Sequence, residues 1–181
     1  MRQLLISAFE DAVAQIKAEV ALMPLTRWNE SVLRFMYSGA VARLGQDVTQ
    51  FVECSKIDLV FHRKSERAFV EFKFYTHSTK YDALSGIETG MKGYPSSKNR
   101  REFQRCVETL RRRPVDSYKV LKLVALFYAD PVNTKKKYDT DYGDSSGVEH
   151  RLKICPLVKI ESFLSSDPQN SCNARLYEVG T

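Results

Sequence analysis

The chain has 181 residues, 43% of them hydrophobic and 28% charged, the size and balance of one compact soluble domain. No apolar run approaches the roughly 20 residues that span a bilayer, and Glu10 and Asp11 interrupt the N-terminus before a signal-peptide core could form, so no membrane association and a cytoplasmic protein are expected. Lys and Arg outnumber Asp and Glu 28 to 22, a formal charge of +6 mildly favourable to a polyanionic partner, while the four cysteines lie too far apart for a zinc knuckle or a disulfide framework.

Leu4, Leu5, Ala8, Phe9, Ala12, Val13, Ile16 and Val20 recur at helical spacing and predict an amphipathic helix ending before Pro24. A second helix follows, capped by Thr26 or Asn29, entered at Trp28, with Val32, Leu33, Met36, Ala40 and Leu44 on its apolar face and Gly45 stopping it. Glu30 then lies in its first turn. The period changes to that of strands over 48–54, 56–62 and 68–75, an antiparallel meander whose last two strands join at the polar turn 63–67. Residues 76–99 carry Gly86, Gly90, Gly93 and Pro95 without clear period and read as a long loop with one helical turn at most. Phe103, Cys106, Val107 and Leu110 mark a helix over 98–113 with a basic opposite face, closed by Pro114. Residues 120–128 form a central apolar strand, 130–151 a charged loop, and 152–160 a strand placed at an edge by Pro156. A final edge strand over 174–179 follows. Cys54 and Cys106 fall among apolar positions and read as buried thiols.

This order predicts an α/β fold, a mixed sheet flanked by helices on both faces, in a single domain over 1–181 with its core at about 28–130 and C-terminal strands and tail at 150–181. Within it one strand is unusual. Side chains alternate along a strand, so Glu71 and Lys73 share one face while Val70, Phe72 and Phe74 take the other. A carboxylate and an ammonium on an otherwise apolar strand are costly unless they pair or meet a metal. Asp58, at the start of the preceding strand, supplies a second acid.

Asp58 followed by Glu71-Phe72-Lys73, with Glu30 on the helix before the sheet, resembles the PD-(D/E)xK nuclease superfamily, the likeness covering about 28–130. The chain has Lys56-Ile57 before its Asp where the nominal motif has proline. The resemblance implies a restriction-endonuclease-like αβββαβ core with an extra N-terminal helix, and a Mg²⁺-dependent (or Mn²⁺-dependent) endonuclease acting on DNA more than RNA. It also implies catalytic roles for Asp58, Glu71, Lys73 and Glu30, with the metal held by Asp58, Glu71, the Phe72 carbonyl and Glu30. The chemistry asks for the same residue types: a hard cation that neutralises a scissile phosphate takes carboxylate and carbonyl oxygens, and a lysine beside it holds the attacking water or stabilises developing charge. The lack of a G-x-x-x-x-G-K-[ST] motif argues against an energy-driven machine on this chain, and the small size fits a homodimer or a recruited domain.

Around this centre Lys80, Lys92, Lys98, Arg100, Arg101, Arg105, Arg111, Arg112 and Arg113 are candidates for phosphate contact, diluted by Glu102 and Glu108; Gln104 is a polar candidate on the same helix. Tyr75 shares the face of Glu71 and Lys73 and reads as cleft lining; His77 reads as a loop histidine that could touch substrate. Asp139-x-Asp141-x-Gly143-Asp144 resembles a calcium loop but has His150 where an EF-hand needs its twelfth-position Glu, and the Lys135-Lys136-Lys137 triplet is too short to name a partner. Two other readings stand beside the enzyme: a non-catalytic nucleic-acid-binding or protein-interaction module on the same fold, and a metal-free subunit in which Glu71 and Lys73 are a surface ion pair.

Overall fold

A computed structural model describes residues 1–20, 25, 28–54, 56–81, 85, 87–115, 118–132, 134–135, 137–164 and 170–180, with backbone alone for 78–81, 88–92, 162 and 164. Helices α1 (Arg2–Val20) and α2 (Glu30–Leu44) precede strands β1 (Thr49–Cys54), β2 (Ile57–Arg63) and β3 (Glu66–Thr76). A small hairpin, β4 (Ser78–Tyr81) and β5 (Glu88–Lys92), leads to α3 (Ser97–Arg111) and β6 (Lys119–Pro131). Two short helices, α4 (Asp139–Tyr142) and α5 (Val148–Leu152), then lead to β7 (Ile154–Leu164) and β8 (Asn170–Val179). The main sheet has six strands in the order β1-β2-β3-β6-β8-β7. All neighbours are antiparallel except β3 and β6, which run parallel from Glu66↔Lys119 to Thr76↔Ala129.

This is an α/β fold with a mixed sheet flanked on both faces. On one face α1 and α2 cover Leu59, Phe61, Val70, Phe72 and Phe127; on the other, Phe103, Val107 and Leu110 of α3 cover Val60, Val124 and Leu126. Tyr37 ties the first layer together. Its ring meets Phe9, Phe61 and Phe72 edge-on, and its hydroxyl donates to the Leu5 carbonyl at 3.0 Å, fixing α2 across α1 and the middle of the sheet. Asn29 caps α2 by accepting from the Val32 N–H at 3.2 Å, which sets where the helix starts and therefore where Glu30 stands. Thr26, the other candidate cap, lies outside the described residues, as do Pro24 and Gly86.

Five expectations are corrected. The 76–99 stretch holds the β4–β5 hairpin, which stands outside the main sheet. Gly93 closes the hairpin with φ +72°, and a Cβ there would lie 1.6 Å from the Thr76 carbonyl oxygen, so glycine is required. The 130–151 segment is built around α4 and α5 on a buried carboxylate: Asp130 accepts from the N–H groups of Tyr138 at 2.7 Å and Asp139 at 3.0 Å. The last strand begins at Asn170 and is interior, between β6 and β7; its Asn170, Asn173 and Arg175 are buried, Arg175 being held by Glu161 at 3.2 Å and by the Tyr128 hydroxyl at 3.4 Å. Cys54 is exposed on β1, where the sheet edge is uncovered, whereas Cys106 is buried as expected. Tyr75, read as lining the cleft, is buried and stacks on Tyr138 and Tyr142. His77 lies between β3 and β4 as read, though buried, and packs edge-on against Tyr94. The edge position of β7 is as expected, with a register slip beginning at Pro156.

Candidate active site

The β2–β3 register pairs Leu59 with Val70. One further step sets Asp58 opposite Glu71, and the pleat sends both toward the α3 face with Val60, Lys73 and Tyr75. Because β2 begins at Ile57 while β3 runs on to Thr76, the flank of β3 beyond Phe72 is open on that side. Lys73 reaches into this notch.

Asp58, Lys73 and Glu30 are each held. Asp58 Oδ2 accepts from the Phe72 N–H at 2.8 Å and Oδ1 faces Arg34 at 3.3 Å. Lys73 Nζ donates to the Phe72 carbonyl at 2.8 Å and to Glu30 Oε2 at 3.2 Å, with Glu102 of α3 at 3.7 Å. The Lys73 side chain is 12% exposed and Asp58 16%, so these charges are largely removed from water and their pairing matters. Glu30 and Arg34 are four residues apart and Tyr37 seven from Glu30, so one stripe of α2 is charged where it overhangs the β2–β3 notch and aromatic where it enters the core.

The electrostatics follow from crowding acids in partial burial. Burial first, then the nearby charge of Asp58, push the Glu71 carboxyl up to about 8 from 4.5, so at neutral pH Glu71 is mostly protonated. Burial also raises Glu30, against the opposing pull of Lys73. For Lys73 burial works to lower the pKa, yet attraction to Glu30 first and Glu102 after it outweighs burial and the value is raised. Lys73 is therefore an ammonium at neutral pH. Burial and the nearby Glu71 push the Cys106 thiol upward, which keeps it inert.

Asp58, Glu71, Lys73 and Glu30 are thus brought together, and the Phe72 carbonyl lies among them. Among the described residues no three His, Cys, Asp or Glu side chains gather as a metal group. Mg²⁺ does not require three, since it commonly keeps several waters on one or two carboxylates. The Asp58–Glu71 pair fits such an ion, because two acids set opposite each other on adjacent strands repel when both are ionised, which a divalent cation would relieve. Glu30 and the Phe72 carbonyl are both engaged by Lys73.

The proposed nucleic-acid contacts separate into two sets. Lys98, Arg101 and Arg105 are exposed along the crest of α3, whereas Arg100 pairs with Asp141 at 2.9 Å and Gln104 donates to Glu108 at 2.8 Å. Arg111 donates to the Leu152 carbonyl at 2.6 Å, tying α3 to α5. The Lys80 and Lys92 side chains lie outside the described residues. Sequence reasoning missed Arg34, Glu102 and Cys106. For Arg34 a signal existed, its place one turn after Glu30 on the side of Leu33 and Tyr37; Glu102 read only as a diluting charge.

Compared with known protein families, characterised proteins and solved structures, the chain matches none. No described helix is long and apolar enough to cross a membrane.

Proposed function

We propose that the chain is a Mg²⁺-dependent nuclease of restriction-endonuclease-like fold that hydrolyses phosphodiesters, of DNA ahead of RNA. The observation that carries this reading is the meeting of Asp58 and Glu71 across β2 and β3, with the Lys73 ammonium fixed beside them. The element order supports it: α2, an antiparallel meander of three strands, α3, and then β6 returning parallel to β3.

Asp58 and Glu71 would hold the ion, which when bound supplies charge neutralisation at the phosphate. The other work falls to the chain. Arg34 and the Phe72 N–H fix the Asp58 carboxylate in one orientation, so it need not reorganise when substrate arrives. Lys73, held by Glu30 and the Phe72 carbonyl, is a preorganised donor for the oxygen on which negative charge grows as water adds to phosphorus. Glu30, its carboxyl raised by burial, positions Lys73. Lys98, Arg101 and Arg105 provide phosphate contacts without sequence preference.

The same internal pairing, with Lys73 on the Phe72 carbonyl and Arg34 on Asp58, is what a non-catalytic binding module would also show. One experiment separates the two. Plasmid, linear and single-stranded DNA and RNA are incubated with the protein and Mg²⁺ or Mn²⁺, beside Asp58→Ala and Lys73→Ala. Metal-dependent cleavage lost in both variants is the expected result; substrate bound equally by all three proteins and cut by none overturns the enzyme reading.

A further inference from the structure

On the flank of α3 away from Glu102 lies a cleft that the roles above touch only at Arg101. Two adjoining cavities of about 420 and 430 Å³ share Ser97, Arg100, Thr140 and Asp141 as walls. Each falls within the roughly 300–1,000 Å³ of small-ligand sites. Arg101 and Arg151 line the first, Lys135 and Lys137 the second, so with Arg100 five cations surround one carboxylate. The second cavity reaches Ser96 and Ser97 at the start of the 15-residue α3, where free N–H groups favour a phosphate.

That one carboxylate is informative. Asp141 is 8% exposed; its Oδ1 accepts from Arg100 at 2.9 Å, while its Oδ2 has no hydrogen-bond partner among the described residues. A buried carboxylate oxygen left unpaired is costly, and the aspartate χ2 torsion is soft enough to turn that oxygen to the cleft. The cations call for an anion and the orphaned oxygen calls for an N–H donor, so the ligand must carry both. A nucleotide whose base shows an amino group on its pairing edge does so. Cytosine offers such a donor where thymine offers a carbonyl oxygen, which a carboxylate repels.

We propose that this cleft is a nucleotide subsite, taking one unstacked base with an amino-bearing edge on Asp141 and its phosphate on Arg100, Arg101 and Arg151. The ligand class rests on the nuclease reading. A helix with its side chains is roughly 10–12 Å across, so a strand crossing Lys98, Arg101 and Arg105 would join the acid pair to the cleft over a few nucleotides. The subsite would give the protein a base preference at a position removed from the bond being cut.

The test is fluorescence anisotropy of labelled dC and dT decamers with the full chain in EDTA, which removes cleavage from the measurement. The wild type should bind the dC decamer about tenfold tighter, the discrimination that one good polar base contact gives. Asp141→Ala should bring the two affinities together; Asp141→Asn, of the same shape and a weaker acceptor, should cut the ratio several-fold. Arg151→Ala should weaken both decamers alike and lower the salt slope by roughly 0.7, the value for one single-strand phosphate contact. Equal affinities in the wild type, no binding of either decamer, or a dC preference that survives both Asp141 variants overturns the subsite. Failure of the nuclease reading looks different: nothing is cleaved in Mg²⁺ while the Asp141-dependent preference remains.

Discussion

Replacing Glu71 by Gln removes a titrating group from the acid pair while keeping its shape. In the unfolded chain Glu71 loses its proton near its ordinary 4.5, and in the folded protein near 8, so between those values the folded state holds a proton that the unfolded state has released. Unfolding is then favoured more and more as pH rises through that window. Below it the contribution is absent, and above it the full cost is present. The interval corresponds to ~5 kcal/mol at full value, which partial exposure and coupling to Asp58 reduce to on the order of 2 kcal/mol. The assay is urea unfolding in EDTA at pH 5 and pH 9, wild type against Glu71→Gln. The variant should match the wild type within about 0.5 kcal/mol at the low pH and exceed it by on the order of 2 kcal/mol at the high pH. Millimolar Mg²⁺ should recover stability at high pH in the wild type and not in the variant. A wild type and variant that fall together with rising pH would refute the account of the pair.

Arg34→Ala leaves the Asp58 carboxylate without its cation and should cost about 1–2 kcal/mol in urea unfolding, nearly all from the Asp58 contact, because the arm to Glu53 is exposed. Asp130→Ala orphans the N–H groups of Tyr138 and Asp139 and should cost about 3 kcal/mol, read as a lower urea midpoint at unchanged slope. Gly93→Ala forces a Cβ onto the Thr76 carbonyl at positive φ and should cost at least ~2 kcal/mol, a fall in Tm of roughly 4–8 °C.

The parts of the site legible in the sequence were those governed by local periodicity. Alternation along β3 placed Glu71 and Lys73 on one face, and the Asn29 cap before an apolar helical stripe placed Glu30 in a first turn. What escaped was tertiary. Arg34 looks like any helical cation until Asp58 is opposite it, and Glu102 faces Lys73 only because α3 packs across β3. Helices α4 and α5, of four and five residues, are too short to show a helical period. The interior position of β8 was hidden by Asn170, Asn173 and Arg175, polar residues that a sequence assigns to a surface and that this core buries.

Helix α3 presents three different surfaces at once: Phe103, Cys106, Val107 and Leu110 inward, Glu102 toward Lys73, and Arg100 with Gln104 toward the cleft. Each residue along a helix turns the chain by roughly 100°, so one residue added or lost near Phe103 would swing every later side chain a quarter-turn, taking Cys106, Val107 and Leu110 off the sheet. Substitution on the crest at Lys98, Arg101 or Arg105 alters contact with phosphate and leaves the packing of the helix in place. The distance in residues from Ser96 to Arg111 is therefore what keeps these faces aimed at their separate partners, and the helix is bound in length before it is bound in composition.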